Sequence, residues 1–325
     1  MTSQSNDQNK PDTNGAGLED LTADNLTQHV IKISANISNE RVKFIFSKLI
    51  QHAHDFIRET ELQRDEWEAA WKFLTDVSVG KACQPDRQEM ILLSDVLGIS
   101  ALVDTINSRQ SPGTTESSVL GPFHNEAHFF QNGDSISSTD AGETMLIRGT
   151  VRDLRGKPVA GALLDIWETN GNGKYDMQDP ERDGPDCRGK FYTDENGRFF
   201  INGVRPVDYP VPYDGPVGVL LDLLNRQAYR PAHVHFVITH PSYESLTTAL
   251  YDRSSPRLVL DPVFGAKTSL TEDIVWCEDL DEAKRYGSKP FVRKVDGQDR
   301  TGFWILEHDF ILADKQAARQ RKTHD

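Results

Sequence analysis

Hydrophobic and polar positions change their period along this chain, and the changes divide it. Residues 1–20 contain no apolar run. From Leu21 to about Arg109, apolar residues return at intervals of three and four. Val42, Ile45, Phe46, Leu49, Ala53, Phe56 and Ile57 form one stripe, and Trp67, Trp71, Phe73 and Leu74 follow. That is the period of amphipathic helices, and Gly and Pro are few there. The stretch Ile91–Ile99 continues the pattern as a largely buried helix, until Ser111-Pro112-Gly113-Thr114-Thr115 breaks it. Beyond Gly142 short apolar runs alternate with turn residues. Leu146–Val151 leads through Arg155-Gly156-Lys157-Pro158 into Val159–Trp167, and Thr193–Gly197 feeds Arg198–Ile201. Several short strands at this spacing predict an antiparallel sandwich or barrel. The expectation is an α+β chain, with a helical N-terminal domain over residues 21–110 and an antiparallel β-sandwich over residues 111–314.

Composition narrows the functional classes. A formal charge of −14 over 325 residues argues against nucleic acid as a partner, because phosphate binding needs clustered Lys and Arg. The three cysteines, Cys83, Cys187 and Cys277, are widely spaced and odd in number. They offer neither a disulfide framework nor a zinc cluster, and a reducing, cytoplasmic setting follows. Residues 1–20 are polar, without the basic start and apolar segment of a secretory signal, and read as a disordered tail. Residues 315–325 form a short basic tail, and no apolar stretch has the length of a membrane span.

The candidate chemistry starts at Arg230-Pro231-Ala232-His233-Val234-His235-Phe236. Side chains on a strand alternate faces, so His233 and His235 point one way while Val234, Phe236 and Ile238 point to a core. Two imidazoles aimed at one place suit a transition metal, although the spacing alone equally fits two hydrogen-bonded sheet histidines. His52-Ala53-His54 has the same spacing on a helical stripe, where positions i and i+2 diverge. Those two flank a buried stripe as solvated or partly packed residues. Further ligands must come from loops, and Tyr175 and Tyr209 occupy Gly- and Pro-rich connections. By spacing alone each also fits an ordinary packed tyrosine.

Five segments taken in order sharpen this picture. They are Val119-Leu120-Gly121-Pro122-Phe123, Asp165-Ile166-Trp167-Glu168, Gly173-Lys174-Tyr175-Asp176, Tyr209-Pro210-Val211-Pro212 with Asp214-Gly215-Pro216, and Arg230–His235. Together they resemble the intradiol ring-cleavage dioxygenases. With Asp261-Pro262-Val263-Phe264-Gly265-Ala266-Lys267, the chain is most similar to the hydroxyquinol 1,2-dioxygenase branch. The resemblance implies one Fe(III) per chain, held by Tyr175, Tyr209, His233 and His235 with a water or hydroxide. Phenolates are hard anionic donors that favour the ferric state. A two-His, one-carboxylate triad would suit Fe(II), but no acid in the sequence recommends itself.

The same resemblance implies intradiol cleavage of hydroxyquinol with O2 to 3-hydroxy-cis,cis-muconate, a maleylacetate tautomer, with catechol as the alternative substrate. Tyr209 would leave the metal and accept a substrate proton, and Arg230 would stabilise charge developing on the substrate. Regular alternation puts Arg230 and His233 on opposite faces, so Pro231 must break the strand for that role. Substrate walls are expected from Leu92, Asp95, Gly121, Pro122, Phe123, Val211, Pro212 and Val263. Asp95 would receive a third ring hydroxyl or else bond within the chain, and Ala249 stands where catechol-type relatives tend to carry Gln. In this family the helical domain forms a homodimer interface with a lipid-holding channel, and the Val42–Ile57 stripe fits that or an internal core. Two other classes compete. One is a transthyretin-like carrier with residues 170–176 as a Ca2+ loop, and the other is a zinc hydrolase.

Overall fold

A computed structural model of the chain describes residues 20–79, 83–84, 87–107, 112–138, 141–179, 182 and 184–315. Apart from Asp20 and Lys315, the expected tails lie outside the described residues, as does Ser111. The chain divides into two compact units, Met1–Lys72 and Phe73–Asp325.

The first unit holds α1 (Leu26–Ile33) and α2 (Glu40–Thr60), and α3 (Arg64–Ser78) begins in it. Asn39 caps α2 by accepting a hydrogen bond from the Val42 amide at 3.1 Å. Arg58 reaches back to the Ala23 carbonyl at 2.9 Å, joining α2 to the approach to α1. The α2 stripe is not buried as its period suggests. Val42, Leu49 and Phe56 are 51%, 61% and 54% accessible, because the unit supplies too few apolar partners to cover them.

The second unit opens with the short strands β1 (Cys83–Gln84) and β2 (Arg87–Gln88), then α4 (Glu89–Val96) and α5 (Ile99–Asn107). The continuous helix expected over Ile91–Ile99 is broken instead, by Gly98 at φ +73°. Strands follow as β3 (Thr144–Asp153), β4 (Leu163–Glu168), β5 (Arg188–Tyr192), β6 (Arg198–Val204) and β7 (Tyr209–Pro210). After α6 (Pro216–Leu223) come β8 (Tyr229–Arg230), β9 (His233–His240), β10 (Tyr243–Asp252), β11 (Thr271–Glu272) and β12 (Val275–Cys277). The last elements are α7 (Leu280–Tyr286), β13 (Phe291–Val295), β14 (Gln298–Glu307) and β15 (Phe310–Leu312). Leu92, Leu93 and Val96 of α4 share one buried cluster with Val211, Val217, Leu221 and Val263. That packing joins α4 to the second unit.

The sandwich consists of two sheets. One runs in the order β11-β10-β9-β4-β5, and the other runs β12-β14-β3-β15 with β6 on β3 and β13 on β14. Most pairings are antiparallel as expected, but β14 and β15 run parallel to β3, and β11 runs parallel to β10. Between the sheets lie Ile147, Phe199, Leu306 and Phe310 from one and Leu164, Ile166, Phe191 and Phe236 from the other. Each fully buried side chain of this kind contributes roughly 1.5–3 kcal/mol. Val234, Phe236 and Ile238 of β9 are all completely buried in this core. His233 and His235 therefore face the other side of the sheet.

Candidate metal centre

Four donor atoms converge on that outer face of β9. The two imidazole Nε2 atoms of His233 and His235 stand 3.0 Å apart. His233 Nδ1 lies 2.7 Å from the Pro231 carbonyl, which can only accept, so Nδ1 carries the proton and Nε2 presents its lone pair. His235 stacks on Trp167, its neighbour across the β4–β9 ladder, with ring centres 4.7 Å apart and planes 7° from parallel. The Tyr175 and Tyr209 hydroxyls are 3.1 Å apart, and that of Tyr209 is 3.5 Å from His233 Nε2. All four side chains are 3% accessible or less.

Local sequence explains why two loop tyrosines meet there. The Asn170 side chain accepts from the Asn172 and Lys174 amides at 3.0 and 3.1 Å, closing the turn before Tyr175. Gly173 sits at φ +75°, and a Cβ there would come within 3.0 Å of Tyr209 Cβ, so glycine permits the approach. The Gln178 side chain accepts from the Tyr175 amide at 3.0 Å, and Phe123 stacks on the Tyr175 ring at 4.5 Å. On the other loop, Asp208 accepts from the Ala232 amide at 2.8 Å, tying the residue before Tyr209 to the residue before His233.

The chamber disfavours charge on these groups. Burial first, and the Arg230 charge second, push the His233 imidazole down to about 3. His235 is driven well below the usual histidine range by burial, then by His233. Burial and the neighbouring Tyr209 hold the Tyr175 phenol well above its ordinary value. Two imidazoles disfavoured as cations and two buried phenols, with Arg230 beside them, form a donor set that fits a hard trivalent ion. Among the described residues no group of three or more His, Cys, Asp or Glu is placed to hold a metal, so neither a carboxylate triad nor a conventional zinc site is present there. The Ca2+-loop reading also fails on contacts. Asn170 is occupied by backbone amides, and Asp176 is paired with Arg188, whose Nε lies 2.6 Å from its carboxylate.

Comparison with known proteins agrees with this geometry. Residues 120–288 match the family described as Dioxygenase, and residues 39–115 match Catechol dioxygenase N terminus. An intradiol ring-cleavage dioxygenase of Aspergillus niger is 48% identical over 79% of this chain and 78% of its own length. The chain belongs to the intradiol ring-cleavage dioxygenases. A hydroxyquinol 1,2-dioxygenase of Rhizobium sp. is 40% identical over 87% of this chain and 93% of its own. The solved structure of a Pseudomonas putida hydroxyquinol 1,2-dioxygenase superposes with a TM-score of 0.80 at 39% identity, covering 90% of this chain and 99% of that one. The protein is thus a ring-cleaving enzyme of a family that works with non-haem iron, and the carrier and zinc-hydrolase readings fall away.

In this dioxygenase a cavity of about 570 Å³ is lined by Leu92, Pro122, Phe123, Val211 and Pro212, five of the candidate wall residues. Glu89, Met177, Gln178 and Tyr213 line it too and escaped the sequence reading. Asp95, Gly121, Val263 and Arg230 do not line it. Gly121 instead lies against His235, where an added Cβ would be 3.6 Å from Nε2. Val263 shares the buried cluster of Leu92 and Val211. Asp95 is buried and bonded to Ser100, and burial raises its carboxyl above the usual range. Arg230 does reach the donors, because β8 ends at Arg230 and β9 starts only at His233. Its Nη1 is 3.1 Å from His233 Nε2 and 3.3 Å from the Tyr209 hydroxyl.

Two partners of Arg230 were missed from the sequence. Tyr251, opposite His233 in the β9–β10 ladder, has its hydroxyl 3.2 Å from Nη2. Asp261 faces Nε at 3.2 Å; burial acts to raise its carboxyl, but Arg230 outweighs this and holds it below the usual range. Once β9 and β10 are recognised as a hairpin, the register alone places Tyr251 beside His233. Asp261 had no such signal, since it arrives from a loop.

Proposed function

We propose that this dioxygenase cleaves hydroxyquinol with O2, using one Fe(III) held by Tyr175, Tyr209, His233 and His235. The observation that carries the ligand set is the convergence of two imidazole Nε2 atoms and two phenol hydroxyls in one buried chamber. Bound there, ferric iron supplies a site for both oxygens of a catecholic dianion and draws electron density from its ring, so that a ring carbon reacts with O2. The protein does the rest. Phe123 and Trp167 wall Tyr175 and His235 and keep water from the chamber. The Tyr209 phenolate takes a substrate hydroxyl proton, and Arg230, 3.3 Å from that oxygen, stabilises the resulting charge and the charge that develops on the substrate. The product is 3-hydroxy-cis,cis-muconate, with both oxygen atoms retained.

The choice of hydroxyquinol rests on the relatives that carry that name and on two residues. Ala249, paired with His235 across the ladder, leaves room where catechol-type relatives tend to carry Gln. Asp95, whose carboxyl burial raises above the usual range, is read as the partner of a third ring hydroxyl. The substrate wall is read as Leu92, Asp95, Gly121, Pro122, Phe123, Val211, Pro212 and Val263. The exposed α2 stripe supports a homodimer through the N-terminal helices, with room for a lipid between copies. No helix among the described residues is long and apolar enough to cross a membrane, and a cytoplasmic setting belongs to the same reading.

Oxygen uptake by the iron-loaded protein, with an enzyme-free blank for autoxidation, tests the substrate. Uptake favouring hydroxyquinol over catechol, at one O2 per ring, is expected. A catechol preference would move the enzyme to the neighbouring branch, and silence on both would end the proposal.

A further inference from the structure

Arg230 is almost fully buried, and its direction is set by contacts on both sides of the guanidinium. Asp261 grips one edge, with its two carboxylate oxygens 3.2 Å from Nε and 3.4 Å from Nη2. The same carboxylate accepts from the Val263, Gly265 and Ala266 amides at 3.3, 2.9 and 3.1 Å. One side chain therefore both folds the turn that carries Val263 and orients the guanidinium. The circuit closes through Tyr251 and Ser118. Tyr251 meets Nη2 at 3.2 Å and Ser118 at 3.0 Å, and Ser118 donates to the Gly265 carbonyl at 2.8 Å. Nη1 is the one guanidinium nitrogen outside this grip, and it points at Tyr209 and His233.

We propose that Asp261 is a positioning residue for ring cleavage: by fixing Nε and Nη2 it aims Nη1 at the reacting oxygens and locks that aim to the Val263 turn. This rests on the role of Arg230 proposed above. Neutralising Arg230 with a neighbour that also holds five hydrogen bonds leaves a directed donor instead of a diffuse positive charge. A donor of that kind stabilises charge only where it is aimed, and a misplacement of about 1 Å can cost on the order of 100-fold in rate.

The test is steady-state oxygen uptake with hydroxyquinol by the iron-loaded full chain, comparing wild type, Asp261→Asn, Arg230→Lys and the double variant. Iron content and the visible phenolate-to-iron absorption are read in parallel. Asp261→Asn is expected to lower kcat about 100-fold and change KM less than about 3-fold, with iron content and absorption unchanged. The double variant should be no slower than Arg230→Lys alone, because both act through one group. A near-normal kcat in Asp261→Asn beside a slow Arg230→Lys would overturn the inference and leave the role of Arg230 standing. A near-normal kcat in Arg230→Lys would remove both, and losses that multiply in the double variant would overturn the coupling. If Asp261→Asn does not fold, Gly265→Ala carries the test. Its Cβ would lie 2.6 Å from the Tyr251 hydroxyl and 3.0 Å from Arg230 Nη2, so it would push on the guanidinium and on its Tyr251 contact with Asp261 intact. A kcat-selective loss is again expected, and a wild-type kcat in that variant would overturn the proposal.

Discussion

Two histidine pairs share one spacing in this chain and meet opposite fates. His233 and His235 lie on β9, fully buried, with their Nε2 atoms 3.0 Å apart. His52 and His54 lie on α2, where His52 faces solvent and His54 turns its Nδ1 to Thr27 Oγ1 at 3.0 Å. A strand turns each side chain by half a revolution and a helix by little more than a quarter, so identical spacing gives convergence in one case and divergence in the other. Burial completes the contrast. The β9 pair is buried and rests against a second set of donors, whereas in the α2 pair His52 is exposed and the half-buried His54 has a hydrogen bond across to α1. Motif spacing therefore says little about metal binding until the backbone period beneath it is known.

The comparison can be broken most forcefully at its metal-binding half. His235→Ala should abolish iron retention and turnover, well beyond the roughly 10–100-fold that supporting residues cost, while His52→Ala leaves iron content unchanged. Iron analysis after desalting decides this, and an iron-loaded, active His235→Ala enzyme would end the ligand assignment. Tyr175→Phe should likewise lose its iron and colour, because one hard anionic donor is gone.

Acid should separate the pairs next. In the unfolded chain His233 and His235 titrate near 6.5, but folding pushes both down, His233 to about 3. The unfolded state then binds more protons, so the metal-free protein is fully stable above about pH 6.5 and loses stability as pH falls towards 3. The slope is up to about 1.4 kcal/mol per pH unit for each titrating imidazole. Melting curves of metal-free wild type and His235→Phe between pH 7 and 4 check this, with a shallower fall expected in the variant. Asp95→Ala should have a smaller, selective effect, lowering kcat/KM for hydroxyquinol about 10-fold more than for catechol. Equal losses on the two substrates would assign Asp95 to its Ser100 contact alone. Smallest of all, His54→Ala should cost about 0.5–1.5 kcal/mol of stability through Thr27, with no change in iron content by metal analysis.

The regular parts of the molecule were legible in sequence because their period reports their faces. β9 is the clearest case, with apolar residues inward and imidazoles outward. Periods do not report partners. The α2 stripe is amphipathic as read, yet nothing in its period says what covers it, and the described residues of its own unit do not. The parallel pairing of β14 and β15 with β3 joins segments about 160 residues apart, beyond any local pattern. In the candidate site the tyrosines came from resemblance, since their meeting depends on Gly173 and on turns closed by Asn170 and Asp208. Arg230 needed the break at Pro231–Ala232 to be seen, and Asp261 became visible only when its loop was in place.

The pairing of β14 and β15 with β3 also has a consequence for how the enzyme is made. All four proposed donors are synthesised by residue 235, but strand β3 waits until residues 298–312 emerge before its parallel neighbours exist. Until then the inter-sheet core lacks Leu306, Phe310 and Leu312, and this non-local pairing is a late and slow step of folding. A nascent chain stalled before residue 298 would carry every proposed ligand and the sheet the two histidines stand on, but not the strands that close the core behind it. The proposed ligands are therefore complete in the chain before the core that backs β9 is, so the stiffness of the candidate site depends on strands made after it.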